Sequence, residues 1–158
     1  MKKRIFALLL AVALIFTLGA VGCSKKKTDG LVISVESVKA KAGKTVDVPV
    51  EISGNPGIMA LLIGFEFDAE QLQYAGFEKG KVFSDYEIAE NDGELKLMCL
   101  ENEDVKGDGE LVTLKFKVVG KDNAKTDIKV VIEDNSICNY DEELIKATGE
   151  NGTVKIKK

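Results

Sequence analysis

The sequence predicts an all-β protein, folded as a two-sheet antiparallel sandwich. From Leu31 onward, apolar residues recur with a period of two, which is typical of half-buried strands. Turn-forming residues interrupt this alternation at short intervals, and no segment carries a helical stripe longer than two turns. About nine or ten short strands fit in a domain of this length, and one open sheet of them would bury too little apolar surface. Two packed sheets are therefore expected.

Two segments show the alternation most clearly. In Thr45 to Ser53, four aliphatic residues face one way and polar residues face the other, together with Pro49. Proline cannot donate to a ladder of backbone hydrogen bonds, so Pro49 indicates an edge strand or a bulge. Leu111 to Val119 repeats the pattern. Each segment is expected to cover the core with one face and to meet water with the other.

Two further strands, Met59 to Asp68 and Glu94 to Glu101, carry apolar residues in both phases. Leu61, Ile63 and Phe65 belong to the predicted core phase of the first strand, and Leu97 and Cys99 to that of the second. The opposite phase is unusually apolar for a surface that meets solvent, and its members are Ala60, Leu62, Gly64, Met98 and Leu100. Apolar surfaces of this kind often mark interfaces. The alternative is that this face packs against another part of the same chain.

The remaining strands and turns follow from the same criteria. The other predicted strands are Val32 to Lys39, Leu72 to Phe77, Asp85 to Glu90, Asp127 to Glu133, Ser136 to Tyr140 and Thr153 to Lys157. Asn91-Asp92-Gly93 and Asn151-Gly152 are predicted to be hairpin turns, because Asn, Asp and Gly tolerate positive φ.

The N-terminus has the features of an export signal. Three cations at residues 2–4 precede an apolar run from Ile5 to Phe16 and small residues up to Cys23. This run is shorter than the roughly 20 apolar residues that a membrane span requires. Ala20 to Cys23 resembles the lipobox of bacterial lipoproteins, which implies cleavage before Cys23 and lipid on its thiol. An ordinary secretory signal is the alternative.

We therefore predict three parts of the chain: a signal peptide over residues 1–22, the lipidated Cys23 with a short linker over 23–30, and one domain over 31–158. The protein is expected to be exported and lipid-anchored to the outer side of the cell membrane. In this compartment Cys99 and Cys138 could pair, but no spacing pattern enforces a bridge. Free thiols and a disulfide both remain open, with free thiols favoured.

Charge and composition argue against several classes of function. Without the three signal cations, 19 of the 22 basic residues stand against 26 acidic ones, a net charge of about −7, which argues against nucleic acid. The absence of histidine removes the commonest general base and zinc ligand. Asp104 to Gly109 resembles the start of a calcium loop, but Lys106 and Lys115 occupy positions that require oxygen ligands. We predict a turn there, no metal, no cofactor and no enzymatic activity.

Three blocks in order resemble the cohesin family of dockerin-binding modules. They are Ala42 to Val50, then Gly57-Ile58 with Phe65 to Leu72, then Gly107 to Phe116. The resemblance covers Leu31 to Lys158. It implies a nine-stranded jelly roll, an architecture shared with carbohydrate-binding modules, and a dockerin bound flat on the outer residues of one sheet.

Carried over by position, that face comprises Ala60, Leu62 and Gly64 of the third strand, Glu87 and Ala89 of the fifth, and Met98, Leu100 and Glu101 of the sixth. Many cohesins place a polar Asn and Asp pair where this chain has Ala60 and Leu62. The substitution implies a more hydrophobic interface or a different partner.

The predicted function is a membrane-anchored extracytoplasmic protein-binding module, which docks a dockerin-bearing or other surface protein in a polysaccharide-degrading assembly. A carbohydrate-binding module is the second hypothesis. Such modules stack sugars on a row of aromatics, whereas this chain has no tryptophan and Tyr74, Tyr86 and Tyr140 fall on separate predicted strands. A structural envelope lipoprotein is the third hypothesis.

Overall fold

The computed structural model describes residues 30–158, and the predicted signal peptide, Cys23 and most of the linker lie outside the described residues. Over this range the chain forms twelve strands, and it contains no helix that could cross a membrane. The strands are β1 Leu31–Val35, β2 Val38–Lys41, β3 Thr45–Ser53, β4 Ile58–Glu66, β5 Leu72–Lys79, β6 Tyr86–Asn91, β7 Glu94–Val105, β8 Gly109–Val118, β9 Lys125–Val131, β10 Ile137–Cys138, β11 Ala147–Glu150 and β12 Gly152–Lys157.

The strands form two sheets, as predicted. One sheet has the order β11-β1-β3-β8-β5, and the other has the order β2-β12-β9-β4-β7-β6 with β10 paired to β4. Alternate residues of both sheets point into one shared core. The Phe116 ring lies near its centre and makes edge-on contacts with Phe67 and Tyr74, with ring centroids 4.9 and 6.1 Å away. The all-β sandwich is confirmed.

Both ends of the domain change sheets, which the sequence did not reveal. The predicted strand Val32 to Lys39 is two strands, because the chain leaves one sheet after β1 and enters the other at β2. The C-terminus does the same between β11 and β12, so Asn151-Gly152 is a crossing and the predicted hairpin turn is wrong. A Cβ on Gly152 would lie 2.5 Å from Val35 Cγ1, so glycine allows the close approach at this crossing.

The positions of Pro49 and of the Asp92-Gly93 turn follow from backbone geometry. Strand β3 lies between β1 and β8, so an edge position for Pro49 is wrong. The other possibility, a bulge at this point, is confirmed, because the β3–β8 register shifts between Val50 and Glu51, just after the proline. Asp92 and Gly93 have φ values of 37° and 89°, as expected for the tight hairpin between β6 and β7.

Candidate functional site

The outer side of β4, β7 and β6 carries the apolar residues singled out from the sequence. Leu62 lies opposite Met98, and Ala60 lies opposite Leu100, so these four side chains are on one side of the sheet. The exposed fractions are 40% for Leu62, 41% for Met98 and 52% for Leu100. We refer to this surface, with Gly64, Glu87 and Ala89, as the apolar face.

Exposure on this face contrasts with complete burial one residue away. Leu61, Ile63 and Cys99, in the alternate phase of the same strands, are at most 1% exposed. The core is therefore formed by the alternate phase, and the apolar residues of the opposite phase lie on the outer side of the sheet. No described segment of the chain covers Leu62, Met98 or Leu100, so the predicted alternative of packing within the chain is not seen among the described residues.

Strand β6 extends the apolar face with a more polar border. Glu87 lies opposite Met98, and Ala89 lies opposite Lys96. Lys96, which the sequence analysis did not single out, forms an ion pair with Glu133 at 3.5 Å. Gly64 lies opposite Lys96 on β7 and Val131 on β9, where a Cβ would approach Val131 Cβ to 3.2 Å. A cavity lined by Gly64, Lys96, Val131 and Glu133, among others, lies at this end of the face.

Glu101 is the one predicted site residue that the structure does not bring into the apolar face. Alternation along β7 puts it in the phase of Cys99, on the other side of the sheet from Leu100. Its carboxylate accepts hydrogen bonds from the Ser84 backbone N–H, from Ser84 Oγ at 2.9 Å and from the Asp85 N–H at 3.3 Å. These bonds lower the pKa of Glu101, the Ser84 N–H contributing most. Glu101 therefore fixes the loop before β6.

A short hairpin next to β4 was not anticipated. The predicted strand Ser136 to Tyr140 is reduced to β10, which begins a hairpin over residues 137–145 that we call the flap hairpin. The Ile145 N–H donates to the Ile137 carbonyl at 2.9 Å, and Cys138 lies opposite Leu144. Strand β10 pairs with the N-terminal half of β4, whereas β9 pairs with the C-terminal half. The flap hairpin therefore borders the apolar face.

The two thiols lie on opposite sides of this sheet and are both free. Cys99 lies opposite the core residue Leu61, and burial raises the pKa of its thiol to about 12. Cys138 lies opposite Ala60, whose side chain points outward. Because paired residues share a side of the sheet, the two thiols face away from each other. Both cysteines are therefore free thiols in the structure, which is the alternative that the sequence favoured.

The remaining candidate motifs have structural roles. Asp104 Oδ1 accepts a hydrogen bond from the Tyr140 N–H at 2.7 Å, and Asp108 Oδ1 accepts one from the Asn55 N–H at 3.1 Å. Residues 106–108 form the turn between β7 and β8, as predicted. In residues 30–158 no group of three or more acidic or cysteine side chains is arranged to hold a metal ion.

The three tyrosines do not form a platform for sugar rings. Tyr74 packs edge-on against Phe116 in the core, and the hydroxyl of the buried Tyr86 accepts a hydrogen bond from the Phe83 N–H at 3.2 Å. Burial is the main cause that raises the pKa of both hydroxyls. Tyr140 is exposed at the flap hairpin, far along the chain from the other two.

Comparison with known proteins supports the same assignment of fold and family. A family model for the cohesin domain matches residues 31–156. No curated protein matches the chain significantly. Among solved structures, the sixth cohesin of scaffoldin B from Acetivibrio cellulolyticus, in complex with a mutant dockerin, is 22% identical with a TM-score of 0.73, covering 81% of this chain and 99% of that one.

Two other solved structures are similar over comparable lengths. A type I cohesin in a cohesin–dockerin complex from Clostridium thermocellum is 23% identical with a TM-score of 0.72, covering 85% of this chain and 97% of that one. A non-cellulosomal cohesin from the archaeon Archaeoglobus fulgidus is 20% identical with a TM-score of 0.73, covering 82% and 92%. At these identities the likeness establishes the fold.

Proposed function

The chain belongs to the cohesin family, and from that premise we propose that it is a non-catalytic module that captures a dockerin-type protein on its apolar face. The observation that carries this proposal is the side-by-side exposure of Leu62, Met98 and Leu100 on a rigid sheet. Large side chains in this arrangement act as anchors in protein interfaces when a partner removes them from water.

Burial of these three side chains under a partner is favourable in free energy. Fully burying a leucine or methionine side chain contributes roughly 1.5–3 kcal/mol relative to leaving it in water. In the free protein, Leu62, Met98 and Leu100 forgo part of that stabilisation. Because the strands already fix the backbone beneath these residues, binding restricts mainly their side-chain rotamers.

Binding to a panel of dockerin modules tests the proposal. We expect the full chain, purified in detergent, to bind at least one dockerin. The double variant with Leu62→Asp and Met98→Asp should weaken that binding about 100-fold or more, since charged groups would be buried under the partner. Isothermal titration calorimetry measures both values.

Val119→Asp is the matched control. Val119 is 47% exposed and lies just beyond the end of β8, which is a strand of the other sheet. It should bind as the unchanged chain does. If the whole panel fails to bind, or if the double variant binds as well as the control, this proposal is wrong.

We further propose that lipid on Cys23 displays this face close to the outer surface of the membrane, as part of a polysaccharide-degrading assembly. The cationic and apolar N-terminal segment and the short linker before β1 support the anchor. Metabolic labelling with a radioactive or clickable palmitate should label the protein, and Cys23→Ser should remove the label and release the protein from membranes. A labelled Cys23→Ser protein would rule out this anchor.

The assembly is tested separately with dockerins taken from polysaccharide-degrading enzymes and from other surface proteins. Preferential binding of the enzyme-derived dockerins supports the assembly. The similar archaeal cohesin is non-cellulosomal. Binding only of dockerins from other surface proteins would therefore contradict a role in a polysaccharide-degrading assembly.

A further inference from the structure

We propose that the flap hairpin enlarges the apolar face and that the partner is an amphipathic segment with an apolar stripe and basic residues at both of its ends. This inference rests on the proposed function and specifies the partner of the same site. It follows from three observations: a row of side chains that crosses the strands, the attachment of the flap hairpin, and the charges at the ends of that row.

The row follows from backbone pairing. Leu144 lies opposite Cys138, Cys138 lies opposite Ala60, and Ala60 lies opposite Leu100. Directly paired residues place their side chains on the same side of a sheet, so all four belong to one surface. Neighbouring strands are about 4.8 Å apart, so the row is roughly 14 Å long. We call it the cross-strand row.

Exposure is greatest at the two ends of the cross-strand row. Leu144 is 59% exposed at one end and Leu100 is 52% exposed at the other, with the small side chains of Ala60 and Cys138 between them. The row therefore has a bulky apolar residue at each end and a low centre. An α-helix of about two to three turns, which rises 5.4 Å per turn, has the length to lie along it.

The flap hairpin is fastened to the sandwich rather than held by its own turn alone. Ile137 is buried and pairs with Leu61, and the Leu62 N–H donates to the Ser136 carbonyl at 2.8 Å. At the tip, the Tyr140 N–H donates to Asp104 Oδ1 at 2.7 Å. These contacts hold the backbone at Leu144 in position before any partner binds. The conformational entropy that is lost on binding is therefore smaller.

Acidic residues lie next to both ends of the cross-strand row. Asp141, Glu142 and Glu143 precede Leu144 in the flap hairpin, and Glu143 Oε2 accepts a hydrogen bond from the neutral Asn139 amide. At the other end, Asp85 and Glu87 flank Tyr86, which pairs with the strand residue before Leu100. Among the described residues these acids form no ion pair, whereas Lys96 is already paired with Glu133.

Unpaired acids beside an apolar surface favour a partner with complementary charge. Residues 132–146 contain five acidic side chains, of which Glu133 is ion-paired with Lys96, and one basic side chain, Lys146. A partner whose apolar stripe is flanked by Lys or Arg would place a cation near each acidic group. A partner flanked by acids would be repelled, so the charges select among dockerins as well as attract them.

The test uses the full chain in detergent and the dockerin of the panel that binds it most tightly. Leu144→Asp should weaken binding about tenfold or more, Leu144→Ala should weaken it less, and Val119→Asp should leave it unchanged. Replacing Asp141 and Glu142 with Asn and Gln, or Asp85 and Glu87 in the same way, should slow association several-fold and flatten its dependence on salt. Surface plasmon resonance measures these rates.

The outcomes separate this inference from the proposed function. If the chain binds a dockerin but Leu144→Asp and Leu144→Ala both bind within twofold of the unchanged chain, the flap hairpin is not part of the interface and the inference is overturned. If the neutralised variants keep their association rates and salt dependence, the basic partner is overturned. If no dockerin binds, the proposed function itself is wrong and this inference with it. If no dockerin binds and the unchanged chain self-associates, loss of that self-association in Leu144→Asp would make the row a contact between two copies. That outcome would also overturn the inference.

Discussion

The two sheets of the sandwich turn very different outer faces to their surroundings. Outside β3, β5 and β8 the side chains are mostly polar or charged, with Asp47 opposite Lys115 and an ion pair between Lys115 Nζ and Glu78 Oε1. The Glu78 carboxylate raises the pKa of Lys115. Outside β4 and β7 the corresponding positions are held by Leu62, Met98 and Leu100. We call the first surface the charged face.

Both faces cover one core, so stability does not explain the difference between them. The charged face follows the usual alternation of an antiparallel sheet that is packed on one side and wet on the other. The apolar face departs from that alternation while its core phase stays intact. This departure agrees with the proposed binding function, because exposed apolar patches often mark sites of contact with other molecules. The comparison therefore assigns the two faces different roles.

We expect the largest difference between the shared core and the apolar face in the free energy of unfolding. Phe116→Ala should lower the free energy of unfolding by about 3–5 kcal/mol, because it removes the ring that contacts Phe67 and Tyr74. Leu100→Ala, at an exposed position, should change it by less than about 0.5 kcal/mol. Urea unfolding followed by fluorescence or circular dichroism measures both. A comparable loss in Leu100→Ala would mean that the apolar face contributes to the core.

The next prediction compares the two sides of one sheet through their thiols. A maleimide should modify Cys138 in the native protein and should reach Cys99 only when the domain unfolds, because Cys99 is completely buried and its pKa is raised to about 12. Raising the pH from 7 to 9 should leave native Cys99 unmodified. Peptide mapping by mass spectrometry distinguishes the two sites, and urea-unfolded protein is the control. Equal labelling of both cysteines in native protein would contradict this arrangement.

The smallest effect concerns neighbouring residues on β7 that have different roles. Glu101→Gln should destabilise the domain modestly at pH 7, by about 1 kcal/mol or less because water screens an exposed carboxylate, and should leave partner binding unchanged. Hydrogen bonds lower the folded pKa of Glu101 below its usual value near 4.5. Its contribution is therefore present above pH 4.5 and is lost as the pH falls through the lowered folded pKa.

The measurement for Glu101 is the urea midpoint of both proteins at pH 7 and at pH 3. The difference between the unchanged chain and Glu101→Gln should shrink at the lower pH. A difference that stays constant would contradict the stabilising role of the Glu101 carboxylate. A loss of partner binding in Glu101→Gln would place this residue in the binding face after all. Leu100→Asp is the matched variant, for which we expect lost binding and retained stability.

Much of the fold was predictable because the period of two reports directly on burial. The alternation of β3, β4, β7 and β8 identified their buried and exposed phases, including Leu62 and Met98 on the outside. Strand β11 escaped prediction, since its four residues, Ala147–Glu150, carry no alternating apolar pattern. It exists because its backbone pairs in parallel with β1 at the edge of the sheet.

The sequence by itself determined the all-β class, the core phase of the long strands, the excess of apolar residues on one outer face and the family resemblance. Only the tertiary structure decided where the chain changes sheets, that Glu101 faces away from Leu100 toward Ser84, and that the flap hairpin brings Leu144 into line with Ala60. The reason is physical: side-chain patterning records which side of a strand is buried. Backbone hydrogen bonds, which every residue can form, decide which strands become neighbours.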